Sequence, residues 1–504
     1  MKIKILQTSD IHGYIYPYSY GDGKQSLNGL SRINTLINSL RDTNTILIDN
    51  GDTIEGSPFT FYHYAKNINE PCPLSLVMKY MNYDYINLGN HDFGYGEKPL
   101  LDHIKNTNAK VLCSNVLYKG ELLGPEYVIK QIGNKKLGLF GITTQFIPNW
   151  EEEEKIKNFT FLDAYETALS ITNKLKEIEK VDYVVCTYHG GFERDLETGV
   201  LAENNPKEDE GYMMCENIKG LDVLLSGHQH RVLSGKLFNT YYTQPGQHGD
   251  YVACTEIDTD TDEIKQSLIK VETEADKSIT DICDETQVKV QEWLDTPLGK
   301  TNNDLLVHDE YLDRLNKSQL ITFINKVQLE ISKADISGAS IFTKATGLRK
   351  DITMRDIMST YFFPNTLVIK RVTGKVLKEY LEVTSNFWLI KDDEIIINPD
   401  MDYPTPMYFN YDMLDGVEYT IKVSNPIGNR IISLTRNNVP IKDDDEFNLV
   451  INNYRSSGSG GYQMIKNSPT VKEITRSVSD LLAEYIEKKK VIDFEPINNI
   501  KVIK

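Results

Sequence analysis

Tryptophan (three copies) and cysteine (six) are scarce in this 504-residue chain, and positive charge is in deficit. Fifty-five lysines and arginines stand against 73 acidic residues, a formal net charge of -18. Such a field repels polyanions, which excludes a general affinity for nucleic-acid polymers or an anionic membrane and leaves open a small anion in a locally cationic pocket. Cys72, Cys113, Cys186, Cys215, Cys254 and Cys283 show no Cys-x-x-Cys spacing and are too sparse for a disulfide framework. They read as reduced thiols, several of them in the core and none a nucleophile. No apolar run reaches bilayer-spanning length, and the first residues pass straight into Ile3-Lys4-Ile5-Leu6, which leaves no room for a signal peptide. The chain as given reads as cytoplasmic, or as extracytoplasmic if a leader was removed.

What is abundant is chemistry at the ends of short apolar runs. Lys2-Ile3-Lys4-Ile5-Leu6, Ile46-Leu47-Ile48, Tyr85-Ile86-Asn87-Leu88, Val184-Val185-Cys186 and Val223-Leu224-Leu225 read as buried strands. Each precedes a polar cluster: Asp10-Ile11-His12, Gly51-Asp52, Gly89-Asn90-His91-Asp92, His189-Gly190-Gly191 and Gly227-His228-Gln229-His230. In open α/β sheets ligands bind beyond the carboxyl ends of the strands, so five clusters at five strand ends should share one crevice. Helical stretches at Leu30–Ile37 and from Ala164 to Ile178 alternate with the strands, the pattern of a layered α/β domain. The acidic run Glu151 to Glu154 reads as a solvated loop or helix start.

The length exceeds one hydrophobic core, so two domains or more are expected. A strand-like stretch runs from Asp250 to Val271 and a charged helix from Thr280 to Leu294, before Asp295-Thr296-Pro297-Leu298-Gly299 breaks it. The expected division is a first domain over 1–283, a helical linker and hinge over 284–299, and a second α/β domain over 300–504. The latter opens with a helical run from Lys317 and ends in a helix from Thr475 to Lys488.

Imidazoles and carboxylates suit Zn, Mn, Fe or Co, and hydrolytic sites hold such ions in pairs about 3.5–4 Å apart, with one carboxylate able to bridge them. Asp10 with His12, and His228 with His230, each put two side chains on one side of an extended backbone. Either pair alone is a weak signal, since a hydrogen-bonded buried histidine is commoner than a ligand. In order with Gly51-Asp52 and Gly89-Asn90-His91 they make a strong one. His63, His103 and His308 lack metal spacing, and His248 in Gln244-Pro245-Gly246-Gln247-His248-Gly249 could line the crevice without joining the metal set.

With these motifs in this order, the chain resembles the calcineurin-like metallophosphoesterases, and within them the 5′-nucleotidase family, over almost its whole length. The resemblance implies a layered α-β-β-α metallophosphoesterase domain followed by a smaller α/β substrate-recognition domain. It implies two divalent metal ions: Asp10, His12, Asp52 and His230 on one, Asp52, Asn90, His189 and His228 on the other, with Asp52 bridging. It makes His91 a catalytic group near the leaving oxygen and not a ligand. Many members orient this histidine with an acid three residues later, where this chain has Gly94, and adjacency alone does not make Asp92 the substitute. The strings Asp49–Pro58, Gly89–Gly96 and Phe363–Leu367 are similar to the branch of bacterial 2′,3′-cyclic-nucleotide 2′-phosphodiesterase/3′-nucleotidases.

Tyr408–Gly416 and Asn452–Tyr462 resemble the family's two aromatic loops, which implies that a base stacks between Phe409 and Tyr454, with Asn410 beside them and Tyr408 the alternative if the first loop is offset by one. Lys344, Arg349, Lys350 and Arg355 cluster near the expected substrate face. The Gly-Gly-x-Arg element typical of 5′-nucleotidases is replaced by Ala345-Thr346-Gly347-Leu348-Arg349-Lys350, which suits a singly charged cyclic diester better than a dianion. The expected substrate is thus a small nucleotide: a 2′,3′-cyclic nucleotide opened to the 3′-nucleotide, then cleaved to nucleoside and phosphate. A 5′-nucleotidase or nucleotide-sugar hydrolase, and more remotely a sulfur-ester hydrolase or a non-catalytic nucleotide-binding protein with structural metals, are the alternatives.

Overall fold

The computed structural model describes residues 1–504 except 22, 202–206, 364, 403, 404 and 475. Pro364 and Thr475, which figure in the expectations above, lie outside the described residues. The chain forms two compact units, Met1–Val290 and Gln291–Lys504.

In the first unit the apolar runs are strands of two six-stranded sheets. One has the order Glu263–Lys270, Tyr251–Asp258, Lys2–Thr8, Thr45–Asp49, Tyr85–Ile86, Lys110–Val111; the other Val232–Leu237, Thr240–Pro245, Val223–Leu225, Tyr183–His189, Lys135–Thr143, Val128–Ile132. Lys2–Thr8 pairs in parallel with Thr45–Asp49, as do Tyr183–His189 with Val223–Leu225, so the polar clusters leave both sheets at their carboxyl ends. Ile3, Ile5, Ile46 and Ile48 from one sheet meet Leu137, Leu139, Val185 and Val223 from the other in a shared core. Helix Ala164–Glu177 packs Ala168, Ile171 and Leu175 with the second sheet's Val184 and Cys186. Asp163 caps that helix, accepting from the amide of Glu166 at 2.9 Å.

A polar layer joins the sheets near the strand ends. The Gln7 amide donates to the Ser226 carbonyl (2.8 Å) and its oxygen accepts from Thr243 (2.7 Å), while Asn87 donates to the Ile142 carbonyl (2.7 Å) and Asn50 to that of Tyr188 (3.0 Å). Buried polar groups satisfied across two sheets fix their relative register, which apolar contact alone does not.

Three segments differ from the sequence reading. The stretch from Asp250 to Val271 is two antiparallel strands, Tyr251–Asp258 and Glu263–Lys270, because Thr259–Asp262 turns the chain at Asp262 (φ 58°). The helix before the break is longer, Lys277–Leu294. The helix ends at Leu294, just before the break read at Asp295–Gly299, but Pro297–Thr301 then forms a strand paired with Asp351–Thr353 and Val491–Ile492; proline is tolerated there because it is the first strand residue. All six cysteines are unpaired and buried.

The second unit is built on a five-stranded sheet with the order Met413–Asp415, Ile336–Ala339, Glu446–Asn452, Leu367–Thr373, Thr470–Ile474. Helices Gln319–Ser332, Gly374–Ser385 and Val478–Lys489 contribute Phe323, Leu377 and Leu482 to its core. Arg455 is buried beneath its aromatic loops, with Nε and Nη2 donating to the two oxygens of Asp412 (2.7 and 3.1 Å) and its guanidinium 3.9 Å from the Tyr462 ring centroid.

Arg455→Met would leave the Asp412 carboxylate buried without its cation, at a cost of about 3–5 kcal/mol. Hydrogen–deuterium exchange of the full chain should show faster exchange in Met413–Asp415 and Glu446–Asn452; unchanged exchange there would mean that the pair adds no net stability.

Candidate metal centre

The strand-end clusters meet backbone to backbone. Gly51 adopts φ 89°, and a Cβ on it would lie 2.2 Å from the Gly89 nitrogen, so only glycine lets the two loops approach. Asp10, His12, Asp52, His228 and His230 all have positive φ, between 50° and 69°. Left-handed conformations cost a non-glycine residue energy and persist only when the surroundings over-determine them. Here the amides of Asp10, His12 and Gly13 donate to the carbonyls of Gly51, Asp52 and Thr53 (2.8–2.9 Å), and that of His248 to the Asp10 carbonyl (2.8 Å).

Two groups of side chains result, each with one ligand-type atom per residue within 4.8 Å of the others: Asp10, His12, Asp52 and His230, and Asp52, His189 and His228. Asp52 belongs to both. His12 Nδ1 donates to the Glu55 carbonyl (2.8 Å), which leaves Nε2 as a lone pair, and that atom meets His230 Nε2 at 3.0 Å. His230 Nε2 is also 3.4 Å from an Asp10 oxygen. His189 Nδ1 donates to the Asn50 carbonyl (2.7 Å) and turns Nε2 to within 3.3 Å of Asp52. Among the described residues neither that buried Nε2, despite its nearness to Asp52, nor the buried Oδ1 of Asn90, which opens the short 3₁₀ helix Asn90–Phe93, makes a well-directed hydrogen bond. Lone pairs converging without donors are costly in a dry interior and are what a cation satisfies; the N and O donor set suits a borderline divalent ion. The residues present fit a metal centre.

The electrostatics agree. Burial disfavours the Asp52 carboxylate, yet His189, His91 and His12 hold its pKa well below the usual range. Burial likewise opposes an imidazolium at His189, but Asp52 raises its pKa to about 9; at His91, Asp52 and Glu55 together overcome burial and raise it to about 10. At His12 burial prevails over Asp52 and lowers the pKa to about 4. Protons on imidazoles thus balance the charge that a bound cation would otherwise balance.

His91 stands beside this set. Its amide donates to Asp52 Oδ1 (2.8 Å), its ring packs edge-on against His12 at 5.2 Å, and its Nδ1 lies 3.0 Å from Glu55 Oε1. Asp92 serves the backbone: its oxygens accept from the amides of Asp52, Thr53, Ile54 and Gly89 at 2.8–3.0 Å. Sequence reasoning missed Glu55, whose only signal was an acid three residues after Asp52. It also misjudged Glu151, whose side chain is 14% exposed instead of solvated. Burial first and then Glu55 raise the pKa of Glu151 to about 7, with His91 opposing. His248 lines the centre, its ring 5.7 Å from His12 and 4.1 Å from Tyr14. Trp150 lies over His228 at 5.6 Å. The other histidines lie elsewhere: His63 bonds the Glu70 carbonyl, His103 bonds Ser75, and His308 bonds Asp304.

In the second unit, Phe409 and Tyr454 are neighbours, with ring centroids 5.9 Å apart at 75°. Tyr408 is engaged otherwise, its hydroxyl donating to Asp402 (2.7 Å) and its ring lying 5.3 Å from the Arg314 guanidinium, which favours Phe409 over the offset alternative. Asn410 accepts from Arg455 Nη1 at 3.3 Å. The rings meet edge to face, so a base between them requires a ring to rotate. Of the basic cluster, Arg349 is paired with Asp356 (2.6 Å) and Arg355 with Asp295 (2.7 Å).

Comparison with known proteins matches residues 3–232 to the calcineurin-like phosphoesterases and residues 297–467 to the 5′-nucleotidase C-terminal domain. A crystal structure of a provisionally named 5′-nucleotidase from Staphylococcus aureus is similar over the full length of both chains, at 32% identity and a TM-score of 0.94. The trifunctional nucleotide phosphoesterase protein YfkN of Bacillus subtilis is 25% identical over 99% of this chain, which spans only 38% of that relative's length. A 2′,3′-cyclic-nucleotide 2′-phosphodiesterase/3′-nucleotidase of Salmonella typhimurium is 26% identical over 90% of this chain and 81% of its own.

Asp52→Asn and His189→Ala should each lower the divalent ion bound per purified chain, because one removes a shared charge and the other a lone pair aimed at it. His91→Ala should keep the ion, and elemental analysis of the three variants checks this; loss of metal from His91→Ala would make His91 a ligand.

Proposed function

We propose that this chain, which belongs to the 5′-nucleotidase family of calcineurin-like phosphoesterases, opens 2′,3′-cyclic nucleotides to 3′-nucleotides and then releases nucleoside and phosphate. The observation that carries the hydrolytic reading is the pair of donor groups sharing the buried Asp52. Asp10, His12, Asp52 and His230 would hold one divalent ion, and Asp52, Asn90, His189 and His228 would hold the second. When bound, such ions lower the pKa of water and screen the charge of a phosphate during in-line displacement.

The remaining chemistry belongs to side chains. The carbonyls of Glu55 and Asn50 fix the Nδ1–H tautomers of His12 and His189 and keep both Nε2 atoms as donors of lone pairs. Without metal, Asp52 and Glu55 raise the pKa of His91 to about 10 against burial; with Nδ1 held by Glu55, a protonated His91 can hand the proton on Nε2 to the departing ester oxygen. Phe409 and Tyr454 take the base by stacking, which tolerates different bases.

The preference for a cyclic diester follows from charge. Arg349 and Arg355 are neutralised by Asp356 and Asp295, and Gly347–Leu348, inside the altered Ala345–Lys350 element, is tied into a strand with Leu305–Leu306. A singly charged diester needs less cationic clamping than a dianionic monoester. The same centre then meets the 3′-monophosphate as a product already in place.

A time course on a 2′,3′-cyclic nucleotide with Mn, Zn or Co should show 3′-monophosphate rising before nucleoside, abolished by chelation, with 5′-monophosphate the poorer substrate. Efficient 5′-monophosphate cleavage without ring opening would instead make the chain a 5′-nucleotidase. Phe409→Ala and Tyr454→Ala should raise KM for nucleotides by about 5- to 160-fold, from a stacking contribution of roughly 1–3 kcal/mol, and leave a small aryl phosphate ester nearly unaffected. Equal losses on both substrates would make the two rings structural.

A further inference from the structure

Gly94 is helical, with φ -60° and ψ -30°, a conformation open to any residue. What forbids a side chain there is Glu55: a Cβ on Gly94 would lie 1.6 Å from Glu55 Oε2 and 2.6 Å from its Cδ. A side chain at 94 and a carboxylate on Glu55 therefore compete for one volume.

Glu55 fills that volume from another loop. Its side chain is 4% exposed, its Oε1 is 3.0 Å from His91 Nδ1, and its Oε2 has no hydrogen-bond partner among the described residues. Its backbone carbonyl meanwhile accepts from His12 Nδ1. The turn that presents it is held rigidly, since Asp92 accepts the amides of Asp52, Thr53 and Ile54. Both Asp92 oxygens are thus engaged by backbone amides. One residue thus orients two rings, a candidate ligand through its carbonyl and a candidate acid through its carboxylate.

We infer that Glu55 is the positioning residue of His91, fixing its ring orientation and its Nδ1–H so that Nε2 serves the reaction, and that Gly94 is glycine to make room for it. The inference rests on the hydrolytic reading for its effect on rate, and on geometry alone for the contact. An acid in the 52–55 turn does here what an acid at position 94 would otherwise do. The two solutions exclude each other sterically and are interchangeable chemically, because a Cβ at 94 would lie 3.1 Å from the present Oε1 position.

The experiment compares Glu55→Gln, Glu55→Ala, Gly94→Asp and the double variant Glu55→Ala with Gly94→Asp. Removal of a hydrogen-bonded orienting partner costs about 10- to 100-fold elsewhere, so both Glu55 variants should lose kcat on a 2′,3′-cyclic nucleotide to that extent, with KM little changed and bound metal retained. Gly94→Asp alone should be inactive or unstable. The double variant should recover most of the kcat lost in Glu55→Ala, which a merely structural role for Glu55 does not explain. Histidine-selective ¹⁵N spectra of the metal-free protein, with His91 assigned through His91→Ala, should show a hydrogen-bonded Nδ1–H that Glu55→Gln weakens. Full kcat in Glu55→Ala, loss of metal in parallel with activity, or a metal-loaded double variant no faster than Glu55→Ala would each overturn the inference. A wild-type protein that cleaves no nucleotide with any of these ions would sink the hydrolytic reading, and the spectra would still decide the contact.

Discussion

A carboxylate that is 1% exposed, at the carboxyl end of a parallel strand, sets the terms for the first unit. Asp52 is approached by the His91 amide, by His189 Nε2 and, at 3.8 Å, by His12 Nε2, and the loop opposite comes so near that a Cβ on Gly89 would lie 2.2 Å from Oδ1. An ionised carboxylate so far from water is stable only if positive charge and donors surround it. Imidazolium protons can meet that demand, and so can a divalent ion. The histidines come from four different strand ends because no single segment can place that many rings around one oxygen pair.

Gathering them has a conformational cost. Five of the seven candidate ligands sit in the left-handed region, each worth roughly 1–3 kcal/mol of strain in a non-glycine residue, less for aspartate and histidine than for branched side chains. The scaffold offsets this with order. Gln7, Asn50 and Asn87 bond across from one sheet to the other directly beneath the site, and the loops above are laced by backbone hydrogen bonds such as Asp10 to Gly51 and His12 to Asp52. Asn50 belongs to both systems, since its side chain joins the sheets while its carbonyl fixes the tautomer of His189. Packing and chemistry are therefore coupled through single residues, and the precision of the site depends on the register of the two sheets.

The sequence showed those parts of this arrangement whose signal is local. Apolar runs followed by Asp, His and Asn beside glycine mark strand ends directly, and the helices Leu30–Leu40 and Ala164–Glu177 follow from periodicity. What it hid are contacts between loops distant in the chain. Glu55 and His91 are 36 residues apart, and whether their side chains meet depends on how Thr45–Asp49 pairs with Tyr85–Ile86, with Ile48 opposite Tyr85. Absence of an acid at position 94 was visible, but its compensation was not, because a one-residue slip would turn Glu55 away. Glu151 was misread for the opposite reason: four consecutive acids look solvated, yet the chain buries the first against its neighbours while Glu153 and Glu154 begin a helix. The break at Asp295–Gly299 was legible, since the helix ends at Leu294, but the strand that Pro297 begins was not, because its partners Asp351–Thr353 and Val491–Ile492 lie far along the chain.

Charge bears on which phosphate ester the first unit attracts. Two divalent ions on Asp10 and Asp52 would leave about +2 by formal counting, a strong attraction for phosphate. Carboxylates rim that charge: Glu208 lies 3.5 Å from His228, Glu55 contacts His91, and Glu151, with its pKa raised to about 7 by burial, carries part of a further negative charge. In the second unit the arginines of the Arg349–Arg355 stretch are already neutralised by aspartates. A dianionic phosphate monoester meets twice the repulsion from such a rim that a monoanionic diester meets and twice the attraction of the ions, so charge favours the diester only where the rim outweighs the ions at the non-bridging oxygens. Discrimination therefore turns on how close the rim carboxylates are to the non-bridging oxygens, and the buried pairing of Glu55 with His91 removes one of them from that balance.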